Sequence, residues 1–304
     1  MLPRRSFDAF RVLEPEQRAA HLARFLEHLR KRDGRIELSE RLLLSREPKM
    51  RAMEQNDVRW RGEIDHAGFE RSLAGSRAET LDPRTEWVLA AARANEGERY
   101  GVEIEIDRFV RRGNRFPGVP CQETMLYVML QEAYHCRILV DLCRACGLDF
   151  QPKPPGWASR SLIVAIGTLP SWLRWVPVMA GELVGCAVFR ILNENTHLFE
   201  AQPDVEAHLR NLMRQIWVDE VLHVAYLRAL LGRRGLLLVR VALPLVARSV
   251  LREVPQLRNL GCNARRIVES AVGGIDIPDE IDWMHGDGEG EGSFDRGASI
   301  VAAA

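Results

Sequence analysis

Two short motifs constrain this chain more than any other feature of its sequence. Glu132-Ala133-Tyr134-His135 and Glu220-Val221-Leu222-His223 each place a glutamate and a histidine three residues apart. On an α-helix, side chains at this spacing project from one face, so each pair can reach a single ion. Both motifs lie in apolar stretches, where four ionisable groups are costly to bury unless they bind metal or pair. Together they predict a metal site between two helices, the alternative being a coincidence of solvated surface residues.

Four long helices are predicted around these motifs, at 82–112, 121–146, 178–195 and 203–231. The first begins at Asp82-Pro83, where the aspartate can cap the helix and the proline suits its first turn. The second is expected to end at Gly147, a residue type that favours the backbone conformation found after helices. Short loops join the first two helices and the last two, whereas 147–177 is a long connection. This order is typical of a four-helix bundle made of two hairpins.

The remainder of the chain also has helical patterning and almost no strand signal. The predicted fold is therefore all-α, a four-helix bundle with additional N- and C-terminal helices. A helical lead-in is predicted at 1–80, the bundle at 81–232 and further apolar helices of the same domain at 233–280. A disordered tail is predicted at 281–304. The lead-in should pack on the bundle. It is predicted to contain one helix at 14–32, a second, short helix at 36–45 and an irregular part at 46–80. The tail is assigned as disordered because it is rich in glycine and acidic residues.

A site for two metal ions in such a bundle takes one more glutamate from each of the other two helices. In an antiparallel hairpin, residues at the same depth are equally far from the connecting loop. The midpoint between Glu182 and Glu220 is residue 201, which lies in the turn before Pro203. Glu182 is also the single charged residue of the stretch MAGELVGCAVF, where a carboxylate needs a partner. Glu182 is therefore the predicted ligand from the third helix.

The first helix offers four glutamates, and geometry favours one of them. Glu98 lies on an apolar helical stripe, and its midpoint with Glu132 is residue 115, within the connecting loop. Glu103 passes the same depth test but lies off the centre of the stripe, so it is the alternative ligand. Glu96 and Glu105 are predicted to be solvated.

Two further polar residues, Gln131 and Asp219, directly precede the glutamates of the motifs. A histidine that binds a metal usually donates its other ring N–H to a carboxylate or carbonyl oxygen, which fixes the ring orientation. Asp219 is expected to reach His135 and Gln131 to reach His223, each across to the opposite motif. The alternative for both is an ordinary exposed polar residue.

The predicted ligand set indicates which metals fit. Its six members are Glu98, Glu132, His135, Glu182, Glu220 and His223. Four carboxylates and two imidazoles suit iron or manganese and are poor ligands for copper(I). Two iron ions are the predicted cofactor, with manganese or a mixed pair as alternatives.

Composition excludes several other classes of protein. Forty-two basic and 42 acidic residues give a formal net charge of zero, which argues against a nucleic-acid binder. Proline and charged residues interrupt both apolar stretches, 161–192 and 235–251, so neither is predicted to span a membrane. The alternative is that one of them marks an apolar substrate entry or a membrane-surface face. Four of the six cysteines fall in one predicted helix, which indicates reduced thiols and a cytoplasmic protein.

The pattern of Glu98, Glu132-x-x-His135, Glu182 and Asp219-Glu220-x-x-His223 resembles the ferritin-like di-iron carboxylate superfamily. Chain length and the extra helices on both sides of the bundle look most like its para-aminobenzoate N-oxygenase group, whose members oxidise arylamines to nitro compounds. That group carries a further metal-binding histidine one turn before the glutamate of the last motif, and here Ile216 stands at that position. The resemblance therefore implies a ferritin-like bundle and the ordinary six-ligand set.

Three functions follow as expectations. The first is a di-iron oxygenase that uses O2 to hydroxylate, N-oxygenate or desaturate an apolar small-molecule or acyl substrate. It would take electrons from a separate reductase or ferredoxin, because the sequence has neither a GxGxxG fingerprint nor ferredoxin-type cysteine spacing. The second is a ferroxidase or rubrerythrin-like protein that handles iron or reduces peroxide, and the third is a bundle without enzymatic activity. No nucleic-acid partner is expected, and a homodimer is left open.

Overall fold

The computed structural model describes residues 6–38, 42–75, 81–116 and 118–285. In this part of the chain the fold is all-α, with helix over 72% of the residues and strand over 3%. The helices are α1 (Pro15–Asp33), α2 (Glu47–Glu54), α3 (His66–Leu73), α4 (Pro83–Arg111), α5 (Gln122–Ala145), α6 (Trp157–Thr168), α7 (Ser171–Glu194), α8 (Pro203–Leu230), α9 (Arg233–Glu253), α10 (Gln256–Asn259) and α11 (Ala264–Val272). The strands are β1 (Ser6–Phe7), β2 (Ile36–Leu38), β3 (Leu42–Leu44) and β4 (Ile275–Asp276).

The four long helices α4, α5, α7 and α8 carry the predicted metal ligands and pack as two hairpins. α4 lies along α5, α7 lies along α8, and α5 joins the two pairs by contacting α8. The Asp82 carboxylate caps α4 by accepting hydrogen bonds from the backbone N–H groups of Arg84 and Thr85. At the end of α5, Gly147 adopts φ 80°, a left-handed conformation that costs glycine little. The predicted bounds of these two helices agree with the structure to within about a residue.

α7 is the bundle helix whose predicted start is wrong. It begins at Ser171, seven residues before the predicted start at 178, and continues through Pro177. A proline inside a helix costs roughly 3 kcal/mol, because one backbone hydrogen bond is lost. Trp175, Val176 and Met179 are buried around it, and burying such side chains contributes about 1.5–3 kcal/mol each. Tertiary packing thus offsets the break that the sequence indicated.

The lead-in also differs from its prediction. The segment expected to be a short helix at 36–45 forms a hairpin, in which β2 pairs antiparallel with β3 and Ile36 lies opposite Leu44. Gly34, at φ 74°, ends α1 and turns the chain into this hairpin. A short apolar run can be read as either helix or strand, and the fully buried Leu44 decided for strand. The part expected to be irregular, 46–80, contains α2 and α3.

The C-terminal helices cover the bundle on the α7 side, where both α9 and α11 contact α7. Beyond them, β4 pairs with β1 and brings the two ends of the described chain together. Ile281 and Met284 are buried, so packed structure continues to His285, and the first five residues of the predicted tail are not disordered. The rest of that tail, 286–304, lies outside the described residues.

One stretch of the described chain, Trp172–Phe199, is long and apolar enough to cross a membrane by length and composition. Of its most apolar window, 67% is buried inside the protein. Core helices of soluble proteins satisfy the same criterion, and the burial accounts for the apolar composition of α7.

Candidate metal centre

The structure brings the six predicted ligands together at the centre of the bundle. Glu98 comes from α4, Glu182 from α7, and the two motifs from α5 and α8. Ligand atoms of Glu98, Glu132, His135 and Glu220 lie within 4.8 Å of one another, as do those of Glu132, Glu182, Glu220 and His223. The two groups share Glu132 and Glu220. This arrangement suits two adjacent metal ions with those two carboxylates between them.

Both imidazole rings turn Nδ1 toward the carboxylates. His223 Nδ1 lies 2.8 Å from Glu132 Oε1 and 3.3 Å from Glu182 Oε2. His135 Nδ1 lies 3.3 Å from Glu132 Oε2 and 3.5 Å from Glu220 Oε1. The ring centroids are 5.8 Å apart, so each histidine serves one of the two ligand groups.

The other ring nitrogens contact the two residues that precede the motif glutamates. His135 Nε2 lies 3.1 Å from Asp219 Oδ2, and His223 Nε2 lies 2.9 Å from Gln131 Oε1. Each contact crosses to the opposite motif, as the sequence predicts. With Nε2–H donating to these oxygens, each neutral ring presents the lone pair of Nδ1 to the carboxylates.

Buried charge at this centre is unbalanced. Burial, followed by repulsion from neighbouring carboxylates, raises the pKa of Glu98 and of Glu220 well above its ordinary value. Burial also disfavours ionised Glu132, but the two histidines outweigh it and hold the pKa of Glu132 well below its usual range. Four carboxylates are thus buried together with two imidazoles, and they repel one another when they are ionised. Divalent cations would supply the positive charge that compensates the ionised carboxylates.

Two buried atoms of the centre, Glu132 Oε1 and His135 Nδ1, make no well-directed hydrogen bond to a described residue, although His223 Nδ1 lies 2.8 Å from the first and Glu132 Oε2 lies 3.3 Å from the second. Buried polar atoms are ordinarily satisfied, and exceptions need a reason such as a bound ion. Both are oxygen or nitrogen donors that hold iron or manganese in proteins, and both face the carboxylate cluster. These residues therefore fit a pair of such ions.

Three residues that the sequence did not single out hold Asp219 and Gln131 in place. Arg32 Nη1 donates to Asp219 Oδ1, and Arg46 Nη2 lies 3.6 Å from Asp219 Oδ2. Gln131 Nε2 donates to Asp33 Oδ2 at 2.6 Å, and Asp33 Oδ1 pairs with Arg46 at 3.1 Å. Burial raises the pKa of Asp219, but the two arginines outweigh it and keep the carboxyl well below its ordinary pKa.

These residues lie at the end of α1 and just before α2, about 90 to 190 positions from their partners. No local pattern marks them, because basic residues at the end of a helix are ordinary helix-dipole partners. The signal that could have found them is the need of a buried Asp219 for cations.

The other glutamates of α4 lie outside the cluster. Glu103, the alternative to Glu98, is exposed and pairs with Arg99 at 2.8 Å. Glu96 was predicted to be solvated, and that is wrong: only 6% of it is exposed, and it pairs with Arg93. Glu96 lies two residues before Glu98 and lines the cavity described below. Ile216, where the resembling group has a histidine, is fully buried.

A cavity of about 690 Å³ reaches the candidate centre from one side. Glu98, Glu132, Glu182, Glu220 and His223 form part of its wall, and most of the rest is apolar side chains from α4, α5, α6, α7 and α9. Gly185 allows the close approach of α8, because a Cβ there would lie 2.5 Å from Glu220 Oε2. The predicted ligands thus face a space that can hold a small molecule.

All six cysteines are free thiols in the structure. Burial, and then the charges of Glu98 and Glu132, raises the pKa of Cys136, and burial raises that of Cys143 and of Cys146. Protonated, buried thiols are neither metal ligands nor nucleophiles at neutral pH. The Cys143-x-x-Cys146 pair is part of the core of α5.

Comparisons of this chain with protein-family models, with curated proteins and with solved structures find no match.

Proposed function

We propose that the protein is a two-iron oxygenase that uses O2 to oxidise an apolar small-molecule or acyl substrate by hydroxylation, N-oxygenation or desaturation. One observation carries the proposal. Two groups of potential metal-binding side chains share Glu132 and Glu220, and all of their members except His135 line a large, mainly apolar cavity. The bundle with its paired motifs also supports the ferritin-like assignment made from the sequence.

Glu98, Glu132, His135 and Glu220 would hold one iron, and Glu132, Glu182, Glu220 and His223 the other. A pair of iron ions in such a set supplies electrons and a binding place for O2, chemistry that no side chain here can provide. Manganese, or one ion of each, would suit the same donors.

The protein's own residues would supply orientation and a dry environment. Asp219 and Gln131 hold the two imidazoles with Nδ1 inward, which fixes the direction from which each can bind metal. The apolar cavity wall binds an apolar substrate and excludes water from it. Electrons would come from a separate reductase or ferredoxin.

A ferroxidase or rubrerythrin-like iron-handling protein is the alternative. Iron handling needs access for hydrated ions, which a cavity lined mainly by apolar side chains does not provide. An apolar cavity of about 690 Å³ has instead the size of a small-molecule site.

The first test is the iron content of the protein after anaerobic loading with Fe(II). We expect about two irons per chain, and a loss of at least about half of that iron in Glu182→Ala. Glu103→Ala is the matched control. Glu103 is an exposed glutamate of another bundle helix, α4, and it pairs with Arg99 instead of facing the cluster. Full iron content in Glu182→Ala, or none in the wild type, would overturn the proposal.

The second test exposes the reduced, iron-loaded protein to O2. An optical transient whose decay is accelerated by apolar substrates, with one oxidised product per two electrons consumed, would support the oxygenase. Rapid iron mineralisation in a shell-like assembly, without any product, would support the ferroxidase instead.

A further inference from the structure

We propose that Arg174 binds the anionic head group of the substrate at the end of the cavity remote from the metal centre. The ligand class is an amphiphile with a carboxylate on an elongated apolar body. The anion subsite does not depend on the proposed function, whereas its role in oxidation rests on it.

Arg174 is a buried guanidinium that forms no salt bridge with any carboxylate of the described residues. Only 3% of the residue is exposed, and its Nε and Nη2 atoms have no hydrogen-bond partner in the part of the chain that the structure describes. Its described contact is a cation–π one, with the guanidinium carbon 4.4 Å from the ring centroid of Trp175. Arginine is rarely fully buried unless paired, because an unpaired charge loses its hydration without compensation. A retained buried charge that lines a cavity therefore indicates a ligand of opposite charge.

The charges around Arg174 leave this region positive. Burial lowers the pKa of Arg174; the attraction of Glu105 opposes this shift, and repulsion from Arg108 and Arg112 adds to it. Glu105 is the nearby acid, but its carboxylate already accepts from Arg108 Nη1 at 2.8 Å. Three arginines thus share one carboxylate. A second carboxylate, brought by a ligand, would relieve that excess.

Arg174 and the predicted ligand Glu182 lie on the same helix, α7, so their separation can be estimated from helix geometry. Arg174, Val178, Gly181, Glu182 and Gly185 all line the same cavity. Their spacing of four, seven, eight and eleven residues keeps them on one face of the helix. Eight residues separate Arg174 from Glu182, which corresponds to about 12 Å along the helix axis. A ligand bound at both ends must therefore be elongated.

Most residues of the cavity wall are apolar, among them Val178, Ile104, Val102 and Leu169. The body of the ligand would therefore lose water-exposed surface inside the cavity. The planar fork of a guanidinium matches a carboxylate with two parallel N–H···O bonds. The oxidised position would lie well away from the carboxylate.

The test measures binding of octanoate, decanoate and dodecanoate, and of the corresponding primary alcohols, by calorimetry. We expect the wild type to bind the carboxylates about 10- to 100-fold more tightly than the alcohols, the range for a buried charge-assisted contact. Arg174→Met should lose this preference and keep its affinity for the alcohols. Arg111→Met is the control, because Arg111 is an exposed arginine of α4 that pairs with Asp107.

Iron content is measured separately, and binding is measured with and without iron because a carboxylate can also bind the metal itself. Failure of iron loading with an intact carboxylate preference would overturn the oxygenase and leave the anion subsite. Equal binding of carboxylates and alcohols by the wild type, or an unchanged preference in Arg174→Met, would overturn the subsite.

Folding of the variant provides a second readout. Arg174→Met removes a buried unpaired charge, so its melting temperature should equal or exceed that of the wild type. Arg174→Lys retains the charge without the planar fork and should keep only part of the carboxylate preference. A Lys variant that binds carboxylates no better than Arg174→Met would argue against recognition by charge.

Discussion

The two sides of the candidate centre are built in opposite ways. On the histidine side, His135, His223, Asp219 and Gln131 are fully buried, and each ring nitrogen that faces away from the carboxylates contacts a partner. On the carboxylate side, the side chains of Glu132 and Glu182 keep 17% and 18% of their surface exposed beside the cavity. The histidine side fixes the orientation of the two imidazole rings, and the carboxylate side leaves room for a ligand in the cavity.

This difference indicates where the protein tolerates change. Replacing a member of a connected buried network leaves its partners unpaired, which costs much more than removing a side chain from the wall of a cavity. Substitutions on the histidine side should therefore lower stability and metal affinity together. Those on the cavity side should act more on what the cavity can hold.

The largest effect is expected for Asp219→Ala. It leaves Arg32 and Arg46 without their shared carboxylate and His135 without its acceptor. We expect the free energy of unfolding to fall by about 3–5 kcal/mol. Iron affinity should fall by about 10- to 100-fold, because the ring loses the contact that orients it. Urea unfolding and iron titration measure the two quantities.

Asp107→Ala is the matched control for that substitution. Asp107 also pairs with an arginine, Arg111, but half of its side chain is exposed. Its removal should change stability by less than about 1 kcal/mol. Equal losses in both variants would mean that the histidine side is not an especially connected network.

The next effect concerns the pH dependence of stability on the histidine side. Glu47 accepts hydrogen bonds from Arg137 and Tyr134, which lie on α5 beside His135. Burial raises the pKa of Glu47, but the hydrogen bonds of Arg137, Arg51 and Tyr134 outweigh it and lower the value to about 2. Since the pKa of Glu47 in the folded protein lies below its ordinary value, the ionised carboxylate stabilises the fold above about pH 4.5. This stabilisation is lost as the pH falls toward 2.

Glu47→Gln is the variant that measures this contribution. It should cost roughly 2–3 kcal/mol near neutral pH, and the difference from the wild type should shrink progressively below about pH 4.5. Urea unfolding of both proteins across that range provides the curve. A difference that does not change with pH would show that the ion pair of Glu47 contributes nothing measurable.

The smallest effect compares two glycines of α7 on the cavity side. A Cβ at Gly185 would lie 2.5 Å from Glu220 Oε2, whereas a Cβ at Gly181 would meet nothing within 4 Å. Gly185→Ala should displace Glu220, lower iron content and cost about 1–3 kcal/mol. Gly181→Ala should stabilise the helix by about 0.5–1 kcal/mol and leave iron content unchanged. Similar iron content in the two variants would show that the position of Glu220 does not depend on Gly185.

The predicted ligands could be identified from the sequence because they follow local rules. Helix periodicity places Glu132 beside His135 and Glu220 beside His223, whatever surrounds them. Hairpin geometry then selects Glu182, because antiparallel helices joined by short loops must bring equal depths together. It admits both Glu98 and Glu103, and the apolar stripe of the helix favours Glu98. The crossed contacts of Asp219 and Gln131 follow from the need of a metal-binding histidine for an acceptor at its other ring nitrogen.

Other features could not be predicted because no local rule specifies them. The start of α7 at Ser171 depends on burial of Trp175 and Met179, which compensates for Pro177. The β2–β3 hairpin replaced the predicted helix because Leu44 is buried against the rest of the fold. In both cases long-range packing outweighed a weak local preference.

By itself, the sequence determined the all-α class, the four bundle helices and the six side chains that meet at their centre. These depend on spacing along a helix, a property of the covalent chain and its hydrogen bonds. Tertiary structure alone decided that Arg32, Arg46 and Asp33 support the histidine side and that Arg174 lines the cavity with its Nε and Nη2 atoms unpaired among the described residues. Partners far apart in sequence are set by packing, because burial and charge pairing act through space and leave no periodic signature along the chain.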